Sequence, residues 1–310
     1  VLKYILKRLF IMVITLWIII TLTFILMISV PGSPFNSEGN SNEIVQQNLE
    51  RHYNLDKPYH IQYLLYLKSI VTLDFGPSIK QPNQTVNDLL GRGFPISAEL
   101  GIVTIIVAVI SGIILGILAA LRHNGVIDYL AMGIAVLGIS VPNFILATLL
   151  IQQLAVNLEW FPVATWKSPM HMVLPVIALA TGPMAIIARL TRSTMLEVLT
   201  QDYIKMARAK GLPPWKIIFK HALRNALMPV ITIMGTLVAG IMTGSFVIEQ
   251  IFAIPGMGKY FVESINHRDF PVIMGTTVFY SAFLIIMLFL VDIAYGILDP
   301  RIKVSKKEGE

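Results

Sequence analysis

Apolar residues fall into runs of membrane length along this chain, and the polar segments between them carry most of its charge. About 20 mostly apolar residues in a helix cover the roughly 30 Å of hydrocarbon in a bilayer. Six such runs predict six helices, at Leu9–Val30, Leu100–Leu121, Tyr129–Val156, Met172–Ala188, Leu227–Val247 and Val272–Leu298, each bounded by charge, Pro or Gly. The first is too long for the core of a signal peptide, and Pro31-Gly32-Ser33-Pro34 behind it is a turn rather than a small-residue cleavage site, so it is expected to be retained. Pro142 and Pro175 sit inside the third and fourth runs and are expected to kink or break those helices. The fold class that follows is an all-α membrane protein with six transmembrane helices.

The polar segments divide the chain further. An N-terminal transmembrane helix over 1–30 precedes an extracytoplasmic loop or cap over 31–97, a membrane core over 98–298 with a basic loop at 190–226, and a tail at 299–310. The cap has helical spacing at Ile44, Leu49 and Tyr53, and again at Ile61, Leu64, Leu65 and Leu67. No tandem repeat or low-complexity tract interrupts it.

Charge supplies the orientation. Lys and Arg near the ends of spans are retained on the cytoplasmic side. Lys3, Lys7 and Arg8 precede the first run, and Arg122 and His123 follow the second. Arg189, Arg192, Lys205, Arg208, Lys210, Lys216, Lys220 and Arg224 fill the fourth-to-fifth connection, and Arg301, Lys303, Lys306 and Lys307 form the tail. In a six-span count all four segments share one side, so both termini are expected in the cytoplasm. The composition, 55% hydrophobic against 14% charged, assigns the formal charge of +6 to this topology rather than to nucleic-acid binding. With no cysteine the chain has no disulfide, thiolate metal site or catalytic thiol.

The basic loop has internal order. Tyr203–Lys210 contains good helix formers after a candidate N-cap at Asp202, and Gly211 suits the left-handed conformation that ends a helix. Pro213 and Pro214 fit the first turn of a second helix over Trp215–Leu227 that returns to the membrane. Small Ala207 and Ala209 beside the corner would permit close approach by another surface, rimmed by Arg208, Lys210, Lys216 and Lys220. A plain reading leaves the loop as a positive-inside signal touching anionic lipid.

The spacing favours the more specific reading. DYIKMARAKG at 202–211, followed by KHALRNALMPVIT at 220–232, resembles the coupling motif of binding-protein-dependent ABC importer permeases, in the form used by the peptide and nickel family. KYILKRLF, NLDKPYHIQYLLYLKSIVTLDFGPSI, GISVPNF, GSFVIEQIFAIPGMGKYFVESINHRDFPVIMG and DPRIK are similar to segments of the oligopeptide permease B subunits, so the likeness covers nearly the whole chain. One departure is that Lys205-Met206-Ala207 stands where the commonest superfamily form has Glu-Ala-Ala, a change that peptide-permease members tolerate.

The resemblance implies a type I ABC importer permease in a bacterial inner or plasma membrane, moving oligopeptides received from an extracytoplasmic binding protein. It implies a second homologous permease and two cytoplasmic ATPase subunits, which would hold ATP and Mg and leave this chain without cofactor or catalysis. Tyr203, Ala207, Arg208, Ala209, Lys210 and Gly211 would contact an ATPase, and His221, Arg224, Asn225 and Pro229 would brace the return helix. Uptake of dipeptides, nickel or another small solute is the alternative within the class.

Other constellations carry less. GMGK at 256–259 lacks the glycine at 253 and the Ser or Thr at 260 that a phosphate loop needs. Gly112 with Gly116, and Gly240 with Gly244, are small-residue pairs that suit helix packing, either within the chain or toward a second permease. Asp292, Glu99 and Glu249 are ionisable groups in or near spans, which an ion-coupled secondary transporter would need, though a structural pair or interfacial group is the commoner explanation. The six histidines form no helix-spaced pair, so no metal site is expected. The coupling motif argues against both an ion-coupled transporter and a passive membrane scaffold.

Overall fold

The computed structural model describes residues 2–29, 43–81 and 83–298, and the regular structure there is helical apart from one isolated bridge between Pro77 and Thr85. In hydrocarbon every main-chain N–H and C=O must find its partner within the protein, and a helix meets that demand residue by residue. Helices α1 (Leu2–Ser29), α4 (Val86–Leu121), α7 (Met170–Leu199), α11 (Met228–Ile251) and α13 (Phe270–Leu298) each contain a stretch long and apolar enough to cross a membrane. A bent pair, α5 (Val126–Ser140) and α6 (Asn143–Leu150) with its π-helical extension Ile151–Asn157, makes the sixth span if counted as one. The shorter helices are α2 (Glu43–His52), α3 (Tyr59–Thr72), α8 (Asp202–Ala209), α9 (Pro214–Lys216), α10 (Leu223–Ala226) and α12 (Met257–His267).

Two boundaries differ from the hydropathy reading, and one expected break is present. Helix α4 starts at Val86, well before Leu100, because Thr85 and Asp88 cap it reciprocally. The Thr85 N–H donates to Asp88 Oδ2 at 3.0 Å and the Asp88 N–H to Thr85 Oγ1 at 3.1 Å, while Val86, Leu89 and Leu90 are buried. Helix α7 runs on to Leu199, so Arg189 and Arg192 belong to a helix rather than to the basic loop. Pro142 breaks the third span with a bend of 106°. Pro175, by contrast, stays inside α7 together with Pro183 and does not end it, as neighbouring protein in a membrane bundle allows. The tail at 299–310, residue 30 and residues 31–42 of the cap lie outside the described residues.

The chain forms two compact units. One comprises Val1–Ile96 with Pro255–Ile286. Its core joins Ile20 and Phe24 of α1 to Tyr66 of α3 and Val278 of α13, and the Thr21 and Tyr63 hydroxyls hydrogen-bond at 2.7 Å. Asp269, buried at the start of α13, accepts hydrogen bonds from the Ser78 hydroxyl, the Lys80 N–H at 3.1 Å and the Val272 N–H at 3.4 Å. The Tyr53 hydroxyl donates to the Ser78 carbonyl at 3.0 Å. Burial, and then the negative charge of Asp269, raises the Tyr53 phenol above its ordinary pKa.

The other unit comprises Ser97–Ile254 with Met287–Glu310, and α7 is its hub. Gly112 and Gly116 of α4 lie directly against α7. A Cβ at Gly116 would stand 2.5 Å from Thr191 Cβ and 2.6 Å from the Ala188 carbonyl oxygen, and one at Gly112 2.8 Å from Ile187 Cβ and the Met184 oxygen. Gly138 of α5 makes the same kind of approach to Thr181. These pairs let the helix backbones close on one another where any side chain would hold them apart.

Near the basic end of α7 an ion pair joins α5 to it. Arg192 Nε donates to Asp128 Oδ1 at 2.5 Å and Arg192 Nη2 to Oδ2 at 2.6 Å. His123 Nδ1 stands 3.1 Å from Arg192 Nη2, and the Asn124 N–H donates to Asp128 Oδ2 at 2.9 Å. Asp128 is buried, so its charge depends on this two-point match.

Gly116→Val is expected to lower the thermal unfolding midpoint of the detergent-solubilised protein by several degrees, the scale of overpacking costs of about 1–3 kcal/mol, while Gly240→Ala, with open space where its Cβ would stand, does not lower it. Asp128→Ala and Arg192→Ala should each destabilise, and the double variant should lose less than their sum by about 1 kcal/mol or more. Strict additivity in that cycle would mean the pair contributes no coupling.

Candidate functional site

The basic hairpin at 202–229 is built on an apolar inner face. On α8, Ile204 and Ala207 are three residues apart and both buried, packed with Ala120, Met195, Ile217, Ala222 and Ala226. Asp202 is the first helical residue rather than the cap, a position filled by Gln201 with no side-chain bond, and its carboxylate pairs with Lys205 at 2.9 Å. That pair is solvent-exposed and adds little to stability.

The corner is made by Gly211, at φ +72°, where a side chain would be strained. Its N–H donates to the Arg208 carbonyl at 2.9 Å, and the Leu212 N–H reaches back to Ala207 at 3.3 Å. Pro213 is extended and Pro214 opens the return helix, α9, which continues through a π-helical segment at Ile217–Ala222 into α10. Pro229 lies in the first turn of α11, where its missing N–H leaves no bond unmade.

Two polar contacts fix the hairpin. Asn225 Nδ2 donates to the Tyr203 hydroxyl at 2.8 Å, linking the return helix to α8. The Thr194 hydroxyl donates to the Ala226 carbonyl at 2.8 Å, linking the return helix to α7. His221 is half-buried, whereas Arg224 is exposed.

Of the residues singled out in the sequence, Tyr203, Arg208, Ala209, Lys210 and Gly211 are exposed. Ala207 is not; its methyl group is turned into the chain's own core, so the close approach it permits is between α8 and the return helix. The outer face instead carries Met206, Trp215 and Phe219, exposed by 59%, 65% and 61%, among Lys205, Arg208, Lys210, Lys216 and Lys220. Hydropathy missed these three because each is flanked by charge. The i, i+4 spacing of Trp215 and Phe219 on a helix that buries Ile217 and Ala222 was the signal available.

The remaining candidates are dispersed. Gly112 and Gly116 pack against α7 as described; Gly240 is exposed, and the surroundings of Gly244 lie outside the described residues. Glu249 is buried on α11 and Glu99 is exposed, while the Asp292 side chain lies outside the described residues. No group of three His, Cys, Asp or Glu able to hold a metal occurs among the described residues.

Comparison with known proteins places this architecture. Residues 112–304 match the family described as binding-protein-dependent transport system inner membrane component, and residues 1–108 match its N-terminal counterpart. The chain is 72% identical to the dipeptide transport system permease protein DppB of Bacillus subtilis (strain 168), over 98% of this chain and 99% of that one. It is 43% identical to the oligopeptide transport system permease protein OppB of Salmonella typhimurium (strain LT2), over 97% and 99% of the two chains. Among solved structures, a chain of the inward-facing MetNI methionine ABC transporter superposes with a TM-score of 0.55 at 20% identity, covering 68% of this chain and 94% of its own. An amino acid ABC transporter with histidines superposes at 0.53 and 14% identity, covering 67% and 94%. At those identities the likeness is one of fold, and it is the type I importer fold. The matched families, the end-to-end relatives and the shared helical core together establish that this multi-pass membrane protein belongs to the binding-protein-dependent transport system inner membrane components.

Proposed function

We propose that the chain is one of two membrane-spanning permease subunits of an ATP-driven peptide importer, with the 202–229 hairpin as its contact to a cytoplasmic ATPase subunit. The observation that carries this reading is the two-sided hairpin. Its inner face is locked to α7 through Ile204, Ala207, Ala226 and Thr194, and outside that core Met206, Trp215 and Phe219 are exposed, each next in sequence to Lys205, Lys216 or Lys220. Exposed aromatic and Met side chains flanked by charge have the make-up of an interface core. Because the inner face is rigid, displacement of the outer face by a partner is passed to α7 instead of being absorbed in a loose loop.

A second permease, two ATPase subunits holding ATP and Mg, and an extracytoplasmic binding protein complete the proposed transporter. Both termini and the hairpin lie on the cytoplasmic side, as the distribution of Lys and Arg indicates. The names of the relatives support peptides as cargo. The relative at 72% identity is named for dipeptides, and those at 42–44% are named for dipeptides or for oligopeptides. Competition of dipeptides, oligopeptides and chelated nickel for uptake by the complete transporter separates these cargoes, and preferential nickel uptake would overturn the peptide reading.

Gly211→Val, which forces a β-branched side chain into the left-handed corner, is expected to abolish peptide uptake while membrane insertion is retained. Undiminished peptide-stimulated ATP hydrolysis in that variant would rule the hairpin out as the coupling element. Met206→Asp places a charge at an exposed apolar position of α8 and is expected to weaken co-purification of the ATPase subunits by about tenfold or more, as loss of an interface anchor does.

A further inference from the structure

The break between α5 and α6 lies deep in the membrane. Gly138, three residues before it, packs on Thr181, and eleven residues of α7 separate Thr181 from Arg192 at the basic end. At 1.5 Å per residue that is about 16 Å, half of a hydrocarbon layer of about 30 Å. The chain turns here by 106°.

The turn leaves main-chain acceptors behind. Pro142 has no N–H with which to close a helical turn on Gly138. Across the break, no main-chain hydrogen bond runs back from Asn143 or Phe144 to Ile139 or Ser140. Ile139, Ser140 and Pro142 are nevertheless exposed. Irregular backbone facing lipid at this depth is excluded by the cost of unmet polar groups, and such backbone occurs only where protein covers it or where it lines a water-filled space.

A cavity of about 310 Å³ opens at the same place, between the elbow and α7. Its walls include Gly138, Pro142, Asn143, Thr181, Gly182 and Pro183, and none of its lining residues is ionisable. Its other walls are aliphatic, with Ile139, Val141, Leu146, Leu179 and Ile186, so its polar groups are the Asn143 amide, the Thr181 hydroxyl and the free carbonyls at its edge. This chemistry matches the main chain of a peptide, which supplies N–H donors and C=O acceptors whatever its side chains. A site selecting charged side chains would need formal charge that these walls lack.

We propose that the α5–α6 elbow lines the translocation pathway and that its free carbonyls, with the Asn143 amide, hydrogen-bond the main chain of a peptide in transit. The proposal rests on the peptide-importer reading above. It makes the station indifferent to peptide sequence, since every residue other than proline carries the same pair of groups.

The absence of native cysteine allows a direct test. Asn143→Cys and, on the facing wall, Thr181→Cys are introduced singly, with Ile110→Cys on the exposed apolar face of α4 as the reference. The complete transporter in vesicles is treated with a charged, membrane-impermeant methanethiosulfonate, and labelling is read on this chain. Both wall positions should react about tenfold or more faster than the reference, because water and not lipid faces them. Tri-alanine supplied with binding protein and ATP should slow that reaction about fivefold or more by occupying the station. Reaction of both at the reference rate would overturn the proposal, since the elbow would then be covered by protein. Fast reaction unaffected by tri-alanine, while tri-alanine is imported, would overturn the peptide contact. If the wild-type transporter neither imports tri-alanine nor hydrolyses ATP in response to it, the peptide reading itself fails, and the labelling rates still decide whether the elbow lines a water-filled path.

Discussion

A polypeptide crossing hydrocarbon has nowhere to discharge its main-chain hydrogen bonds except into itself, and the unit centred on α7 is organised around that demand. Unbroken helices meet it locally. They give up in exchange the directional bonds that hold sheets together, so helix is joined to helix mainly by packing, with a few polar ties. Gly112, Gly116 and Gly138 bring two neighbouring helices to within backbone contact of α7, where dispersion forces are strongest and no side chain intervenes. The elbow at Val141-Pro142 departs from the rule, and the constraint turns that departure into information about what must lie beside it.

The charged groups follow the same logic. Asp128 and Asp269 are both buried, and each is held by a full set of donors, but in different ways. Asp128 meets a guanidinium at two points and joins two spans. Asp269 has no cation bonded to it among its described contacts and is held by a hydroxyl and main-chain N–H groups at the start of a helix, which the helix dipole also favours. The first is a tie between elements, and the second fixes a loop to a helix end.

In the basic hairpin, packing and electrostatics divide by face. Apolar side chains at helical spacing settle α8 and its return helix against α7, and a positive-φ glycine lets the chain reverse within a few residues. Cations are left on the outside with Met206, Trp215 and Phe219. An element with a fixed inner face and an unsatisfied outer one suits the transmission of movement between a soluble partner and a span. In the proposed transporter that element connects ATP hydrolysis to the path past the elbow.

The spans were legible in the sequence because hydrophobic length is a local property, as were the glycine corner and the Pro142 break, which depend on the φ angles open to single residues. The family was legible from the spacing of DYIKMARAKG and HALRNALMP. What sequence could not decide was direction. Ala207 could as well have faced a partner as the chain's own core, Arg192 read as one more loop cation, and Asp128 drew no notice. Val86–Glu99 looked like loop because its helix is sustained by a cap and by burial, which average hydropathy does not register. Composition and periodicity thus determined that this chain crosses a membrane and where it turns. Only tertiary structure decided which side of each helix is spent on packing, because that depends on neighbours distant in sequence and brought together by the whole fold.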